Sequence, residues 1–283
     1  MEIEPTQYAG HAVELARKAA EAGYRLVLAA GGDGTLGEIA NGLAHSQTIM
    51  GPLPVGTGNS FAKELRLPRP GYVDHRGLVE AAALLASGRV QQMDLGQCND
   101  GHYWLLWAGV GVDSYLVRRI EPRSKMTKRL GPFGYALQTF CFLPFFPGLT
   151  ATIEIDGKAI EGDHLLILVS NCRLFAGGEL LLNPTAALDD GKFEVWLFPG
   201  KGIARALHYF SQVARHQHHQ NPTIQKFSGR SLTIHTQPNF PYQTDGDPAG
   251  QTPLICHIVP AALQVLIPPT APAGLFSRPG IPL

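Results

Sequence analysis

The chain has 283 residues, enough for one large domain or two modest ones with a substantial hydrophobic core. Hydrophobic residues make up 45% and charged residues 16%, which excludes a disordered or highly solvated chain. Lysine plus arginine and aspartate plus glutamate each number 23, so formal net charge is zero. No global field favours nucleic acid, and any basic site must be local. Cys98, Cys141, Cys172 and Cys256 stand far apart with no Cys-x-x-Cys pair. They read as core thiols of a reducing compartment, not as a disulfide framework or a zinc site.

Glu2 and Glu4 stand where a signal peptide would carry positive charge and then an apolar run, so the start is not read as one. Residues 9–22 predict a helix, with Val13, Ala16 and Ala20 on one face and Gly23 as the C-terminal cap. Residues 24–30 (YRLVLAA) predict a strand buried on two faces. A glycine turn leads into helical spacing over 36–43, a second short strand over 50–55, a Gly-Thr-Gly-Asn turn and a helix opening at 60–65. Strand, turn and helix, twice over, predict an open parallel sheet with helices on its faces.

From about Val90 the texture changes to strand-like runs separated by Asp-Gly, Asn-Pro and Gly-Gly turns, several alternating apolar and polar. This predicts an antiparallel β-sandwich. The one confident helix there covers 203–217. Residues 130–153 carry no charge and are long enough to span a bilayer. Pro132, Pro144 and Pro147 with Gly131, Gly134 and Gly148 interrupt them, so they read as a buried helix leading into strands. His216, His218 and His219 have no metal-binding spacing and read as a polar helix end complementing the helix dipole. The Pro-rich end, 267–283, has no periodicity and reads as a flexible or surface-draped tail.

The chemistry concentrates at Gly31-Gly32-Asp33-Gly34-Thr35, between the first strand and its helix. Glycines there let backbone N–H groups turn toward one point, and the helix N-terminus adds positive potential: a nest for phosphate oxygens. Thr35 adds a hydroxyl. Asp33 is unusual beside phosphate unless it takes a proton, meets a metal or caps the helix. The loop follows neither the dinucleotide-binding pattern nor the P-loop.

With PVGTGNSFAKEL at 54–65, the run GGDGTLGEIANGL at 31–43 resembles the diacylglycerol kinase catalytic-domain family, which holds the soluble bacterial lipid kinases and the sphingosine kinases. The resemblance continues through MDLG at 93–96, GVGVD at 109–113, PTAALDDGKFEV at 184–195 and TDGD at 244–247. It implies a nucleotide-binding α/β domain (1–89), an antiparallel β-sandwich lipid-substrate domain (90–266) and the Pro-rich tail (267–283), with the active site in the cleft between the domains. It implies an ATP-dependent lipid kinase that moves the γ-phosphate to a lipid hydroxyl such as that of diacylglycerol. The nucleotide would meet Thr6, then Gly31, Gly32, Asp33, Gly34, Thr35, Leu36, Gly37 and Glu38, then Gly56, Thr57, Gly58 and Asn59. Lys128 and Arg129 are read as partners for its phosphates, and Asp113 as a ligand for the lipid head. Asp189 and Asp190 fall in the turn where the family holds Mg2+. Asp33, Asp245 and Asp247 are the catalytic acids, with Asp33 and Asp247 as choices for base and Asp245 orienting the metal or a cation.

Three departures stand out. Asp247 replaces the family's usual glutamate, Ser60 replaces a common aspartate but still suits a helix cap, and the chain enters near the end of the family's second strand, at 1–6. The family's first strand and its nucleotide loop are missing from this sequence. The implied partners are a lipid at the membrane surface and no nucleic acid, with the protein cytoplasmic and peripheral at the inner membrane face. The alternatives are a non-catalytic lipid- or nucleotide-binding protein with a degraded kinase site, and an NAD kinase-like enzyme. The GTGN and DGD turns argue against the latter.

Overall fold

The computed structural model describes residues 2–70, 76–120 and 146–283. The chain opens with helix α1 (His11–Glu21), strand β1 (Leu26–Gly31), α2 (Asp33–Leu43), β2 (Ile49–Pro54), α3 (Ser60–Glu64) and α4 (Arg76–Ala86). β1 and β2 run parallel, in register from Leu26 opposite Ile49 to Gly31 opposite Pro54. Small residues let α1 and α2 approach closely: a Cβ on Gly42 would lie 2.5 Å from the Val13 carbonyl oxygen. Ala12, Ala16, Ala40 and Leu43 are buried between them.

The order matches the sequence expectation, but β1 is not buried on two faces. Leu28 is 44% exposed while Ala29 and Gly31 are covered. β1 ends the path of the sheet with β2 as its neighbour, and Leu28 and Ala30, on one face of the strand, are exposed. Residues 2–7 form no strand and are exposed, Thr6 among them. They pair with no strand, and the Tyr24 hydroxyl donates to Glu2 there.

The remainder is β-rich: β3 (Arg89–Cys98), β4 (Tyr103–Trp104), β5 (Trp107–Gly111), helix α5 (Val112–Ile120), β6 (Leu149–Ile155), β7 (Lys158–Ser170), β8 (Leu174–Phe175), β9 (Leu180–Leu181), β10 (Phe193–Pro199), helix α6 (Ile203–Ala214), β11 (Gln225–Gly229), β12 (Ser231–Thr236), β13 (Pro241–Thr244), β14 (Asp247–Gln251), β15 (Leu254–Ile267) and β16 (Ile281–Pro282). Pairing is antiparallel, and Asp-Gly turns join strands as read: Asp156 and Gly157, with φ of 47° and 81°, connect β6 to β7. β15 ties the two parts together. It pairs with β12 and β3, and Val265 stands parallel to Met50 of β2. The core runs through this seam, where Met50, Met93, Leu95, Leu263 and Val265 are fully covered.

Two local expectations change. α6 ends at Ala214, because His216 takes φ 57° and breaks the helical run. The chain then turns inward through a 3-10 turn, so His218 is not part of a polar helix end but fully buried, its Nε2 2.8 Å from the Leu182 carbonyl and its ring against Trp196. The tail is draped and anchored rather than loose. Leu275 is fully buried and its carbonyl accepts the Leu188 N–H, while β16 pairs with β3. Cys98, Cys172 and Cys256 are buried thiols as read. Cys141, Lys128, Arg129 and most of the uncharged stretch lie outside the described residues. No helix among the described residues is long and apolar enough to cross a membrane.

Leu275 is the tail's apolar anchor, so Leu275→Ala should lower unfolding free energy by about 2–4 kcal/mol, the cost of emptying a buried leucine site. Urea denaturation measures this; a change below about 0.5 kcal/mol would make the tail an incidental covering.

Candidate active site

α2 starts immediately after β1, and its cap residue Gly32 brings no side chain to the first-turn N–H groups. Asp33 is the first residue of α2, yet its carboxylate serves another helix. Oδ2 accepts the Ser60 N–H at 2.9 Å and the Ser60 hydroxyl at 3.0 Å, and Oδ1 accepts the Phe61 N–H at 3.2 Å. Asp33 is therefore the cap of α3, reached across 27 residues of sequence, and Ser60 donates to it instead of capping the helix itself. Asn59 closes the loop on itself, its Oδ1 accepting the Gly56 N–H at 3.0 Å and its Nδ2 donating back to the Gly56 carbonyl. The two glycine loops then touch backbone to backbone. A Cβ on Gly56 would sit 2.4 Å from Gly32 Cα, so only glycine fits there.

The TDGD segment approaches from the β-rich part. β13 pairs with β5, and Asp245 and Gly246 form the β13–β14 turn with φ of 51° and 90°. The Asp245 carboxylate accepts three backbone N–H groups, from Leu105 at 2.7 Å, Leu106 at 2.8 Å and Trp107 at 3.2 Å. Desolvation nevertheless pushes its pKa up to about 6, those hydrogen bonds pull the other way, and the like charge of Asp33 adds to the rise. Asp247 is exposed, and its Oδ2 lies 3.4 Å from where a Cβ on Gly34 would be. This contact brings the glycine loop and the DGD turn to one place, at the start of α2.

Gln243 holds the turn from behind, a role no motif in the sequence pointed to. Its Oε1 accepts the Gly246 N–H at 2.7 Å, and its Nε2 donates to Asp113 Oδ2 at 3.0 Å. Burial pushes the Asp113 carboxyl up to about 6 against the hydrogen bonds from Gln243 and Ser114. Asp113, read from the sequence as a lipid-head ligand, thus already has a structural partner beneath the turn.

Of the remaining expected nucleotide contacts, Thr57 is exposed on the second loop and Gly58 packs over Asp33, a Cβ there falling 2.9 Å from Oδ2. Gly34 is exposed in the first turn of α2, Gly37 has open space beside it, and Thr35 packs against Gly31. Leu36 is core. Glu38 accepts the N–H groups of Gly10 at 2.9 Å and Ala12 at 3.1 Å, so it caps α1. Lys128 lies outside the described residues.

At the DDG turn, Asp189 accepts the Ser277 N–H at 2.6 Å and the Arg278 N–H at 3.0 Å, and Asp190 accepts the Lys192 N–H at 3.1 Å. Buried Asp94 pins the same turn by accepting N–H groups from Gly191 at 2.6 Å and Ala261 at 2.7 Å, and burial raises its pKa. Among the described residues no group of three carboxylate, histidine or cysteine side chains is arranged to hold a metal. Asp189 uses both oxygens to hold the tail, so its placement is explained without the magnesium that the resemblance implied. A second buried acid, given no role in the sequence reading, is Glu64, whose oxygens accept the Arg173 and Leu174 N–H groups at 3.1 and 3.0 Å and fasten α3 to the β-rich part. Its only sequence signal was a charge in an otherwise buried short helix.

Residues 1–98 match the family described as the diacylglycerol kinase catalytic domain, and 108–267 match the YegS C-terminal NAD kinase beta sandwich-like domain. A diacylglycerol kinase of Staphylococcus carnosus is 30% identical over 250 residues, 88% of this chain and 78% of that protein. The chain belongs to the diacylglycerol kinase family. A Staphylococcus epidermidis diacylglycerol kinase is 31% identical over the same length, covering 76% of the relative. In fold, the chain is similar to a crystal structure of a diacylglycerol kinase from Bacillus anthracis, with TM-score 0.74 over 94% of this chain and 85% of that one at 22% identity. A diacylglycerol kinase family member transfers phosphate to an alcohol acceptor, which makes the convergence of phosphate nest and carboxylate the part of the geometry that matters.

Two outcomes follow. Asp33→Asn replaces one acceptor oxygen by an NH2 that opposes the α3 donors, so it should cost about 1–3 kcal/mol of stability. Urea titration measures it, and an unchanged midpoint would remove the clasp. The raised carboxyl of Asp113 holds its proton more tightly in the folded chain than in the unfolded one, where it is near 4. Its contribution to stability is therefore complete below about pH 4 and lost as pH rises through about 6. Asp113→Asn should flatten the fall in unfolding midpoint between pH 5 and pH 7; an identical fall in both proteins would exclude Asp113 as its source.

Proposed function

We propose that the chain phosphorylates the hydroxyl of a membrane lipid such as diacylglycerol with ATP as donor, in the cleft where Asp247 faces the start of α2. The carrying observation is the approach of Asp247 Oδ2 to Gly34. It sets a carboxylate beside uncapped helix N–H groups, which is the pairing a hydroxyl-to-phosphate transfer needs.

In this reading the N–H groups around Gly32–Thr35 take phosphate oxygens, and the Gly32–Gly56 contact keeps side chains out of their way. Thr57 and the exposed faces of Gly34 and Gly37 line the nucleotide path. Asp33 positions both loops through α3, Asp245 fixes the turn, and Asp247 accepts the hydroxyl proton as the lipid oxygen bonds to phosphorus and the bridging oxygen leaves. Of the three acids, Asp33 and Asp245 each hold two or more backbone donors and so serve as positioning residues, while Asp247 is the exposed acid that faces Gly34. Magnesium would arrive with the nucleotide and offset phosphate charge. No step is assigned to it here, because Asp94, Asp189 and Asp190 at the DDG turn each accept backbone N–H groups. The acceptor being a lipid, the site works at a membrane surface, and the proposed location is the cytoplasmic face.

Asp247→Ala and Asp247→Asn should lower turnover by on the order of a hundredfold or more, with the unfolding midpoint unchanged within about 0.5 kcal/mol. Asp247→Glu should keep or raise it, since it restores the family's longer side chain. Steady-state transfer from labelled ATP to dispersed diacylglycerol, with NAD as a control acceptor, reads all four proteins. Equal rates would remove Asp247 from the chemistry, and transfer to NAD alone would overturn the lipid reading.

A further inference from the structure

β3 and β15 form the seam of the molecule, and their register brings two cysteines face to face. Cys98, the last residue of β3, stands directly opposite Cys256 of β15. Residues opposed in an antiparallel pair share a face of the sheet, so both side chains project to the same side. The hydrogen bonds around them define the kind of pair. Asn99 donates its N–H to the Ile255 carbonyl at 3.0 Å, so the bonds that join the strands pass through the neighbouring residues. The backbone of Cys98 turns the other way: its N–H donates to the His102 carbonyl and its carbonyl accepts the Gly101 N–H, both at 2.9 Å. On the far side of β15, Ile258 donates to the Arg230 carbonyl at 2.9 Å, and strand alternation aims the backbone of Cys256 toward β12 as well.

Cys98 and Cys256 are therefore a non-hydrogen-bonded pair, the closer antiparallel arrangement, with Cα atoms about 4.5 Å apart. That lies within the span of about 4.4–6.8 Å that a disulfide bridges. Both thiols are free and buried, 3% and 1% exposed. Both also lie near the Tyr242 hydroxyl, whose pKa burial raises first and the two thiols, with Asp100, raise further. Burial pushes the Cys98 thiol up to about 12 and raises the Cys256 thiol too. Neither is a thiolate in the closed fold, so reaction begins only when one end opens. That end is at Cys98: residues 99–102 form the turn to β4 and all four are exposed. Fraying of an exposed turn is the low-cost local opening of a fold. Cys172 differs, since it is fully buried outside any strand and its thiol donates to the Leu174 carbonyl at 3.1 Å.

We infer that Cys98 and Cys256 are a redox-modifiable pair that closes to an intramolecular cross-strand disulfide, with a low-molecular-weight disulfide of the glutathione type as oxidant. The opened Cys98 thiol loses its proton and attacks one sulfur of the oxidant, which leaves one small thiol and a mixed disulfide. As the turn closes, Cys256 loses its proton and attacks the Cys98 sulfur, and the second small thiol leaves. Two protein thiols are oxidised, one small disulfide is reduced to two thiols, and those thiols carry the two protons. The bond joins strands that already pair, so the fold accepts it without a change of register. It also closes a long loop in the unfolded chain, which raises stability.

The test uses the whole chain and is independent of the kinase reading. The protein is equilibrated with reduced and oxidised glutathione at several ratios, quenched with acid, digested without reduction and mapped by mass spectrometry. The expected product is a peptide pair linked through Cys98 and Cys256, with an intact mass lower by two hydrogens and full reversal by dithiothreitol. The urea midpoint of the oxidised chain should lie above that of the reduced chain and return on reduction. Cys98→Ala and Cys256→Ala should each abolish both the linked peptide and the rise. The map of the unsubstituted chain needs neither variant, so it decides the matter where one of them does not fold. Linkage through Cys141 or Cys172 instead, glutathione adducts that never resolve to a protein disulfide, a linked peptide that forms only in urea, or a midpoint that does not rise would each overturn the inference.

Discussion

The site depends on one carboxylate placed between two loops. Asp33 begins α2 but holds the N–H groups of Ser60 and Phe61 at the head of α3, which fixes the Gly31–Thr35 loop against the Gly56–Asn59 loop. Without that clasp two flexible glycine segments would each have to be ordered by a ligand, at the conformational cost glycine carries. With it, the first turn of α2 is left uncapped by its own side chains and presented to the cleft. The open first turn of α2 is a consequence of where Asp33 points.

The same device recurs through the molecule. Glu38 caps α1, Glu64 fastens α3 to the segment after β7, Asp94 joins β3 to the DDG turn and β15, Asp189 holds the tail and Asp245 holds the stretch before β5. In each case a carboxylate accepts backbone donors that no strand or helix satisfies, so irregular segments are fixed without lengthening regular structure. Glu64, Asp94 and Asp245 are held in surroundings that raise their pKa through burial, so their hydrogen bonds offset part of a desolvation cost and do not create a strongly stabilising charge.

How far this was legible in the sequence follows the range of each interaction. The strand–turn–helix repeats at the front were readable because period and glycine punctuation are local, and the Asp-Gly hairpins because two positive φ values demand those residues. The open face of β1 was not, since an apolar run looks the same whether or not a neighbour covers it. His218 reads as polar surface in the sequence because helical spacing says nothing of the positive φ at His216 that turns the chain inward. α4 has only Ala81 and Leu85 buried, too weak a stripe for its periodicity to stand out. The motifs located Asp33, Asp245 and Asp247 and made Asp33 and Asp247 choices for base and Asp245 the acid orienting a metal or cation. The structure divides them otherwise, binding Asp33 and Asp245 to backbone donors. That division is set by donors 27 to 140 residues away along the chain, which no spacing rule reaches.

Those roles bear on the substitution of aspartate for the family's glutamate at 247. A side chain one methylene shorter reaches less far, so the distance from turn to nest must be made up by the turn's placement. Here the turn is drawn inward from two directions: Asp245 is bound to three successive N–H groups ahead of β5, and Gln243, anchored on Asp113, holds the Gly246 N–H. Asp247 consequently stands within van der Waals reach of the Gly34 position. The compact placement of the turn is therefore what allows the shorter acid to face the first turn of α2, in a loop held in place by Asp33.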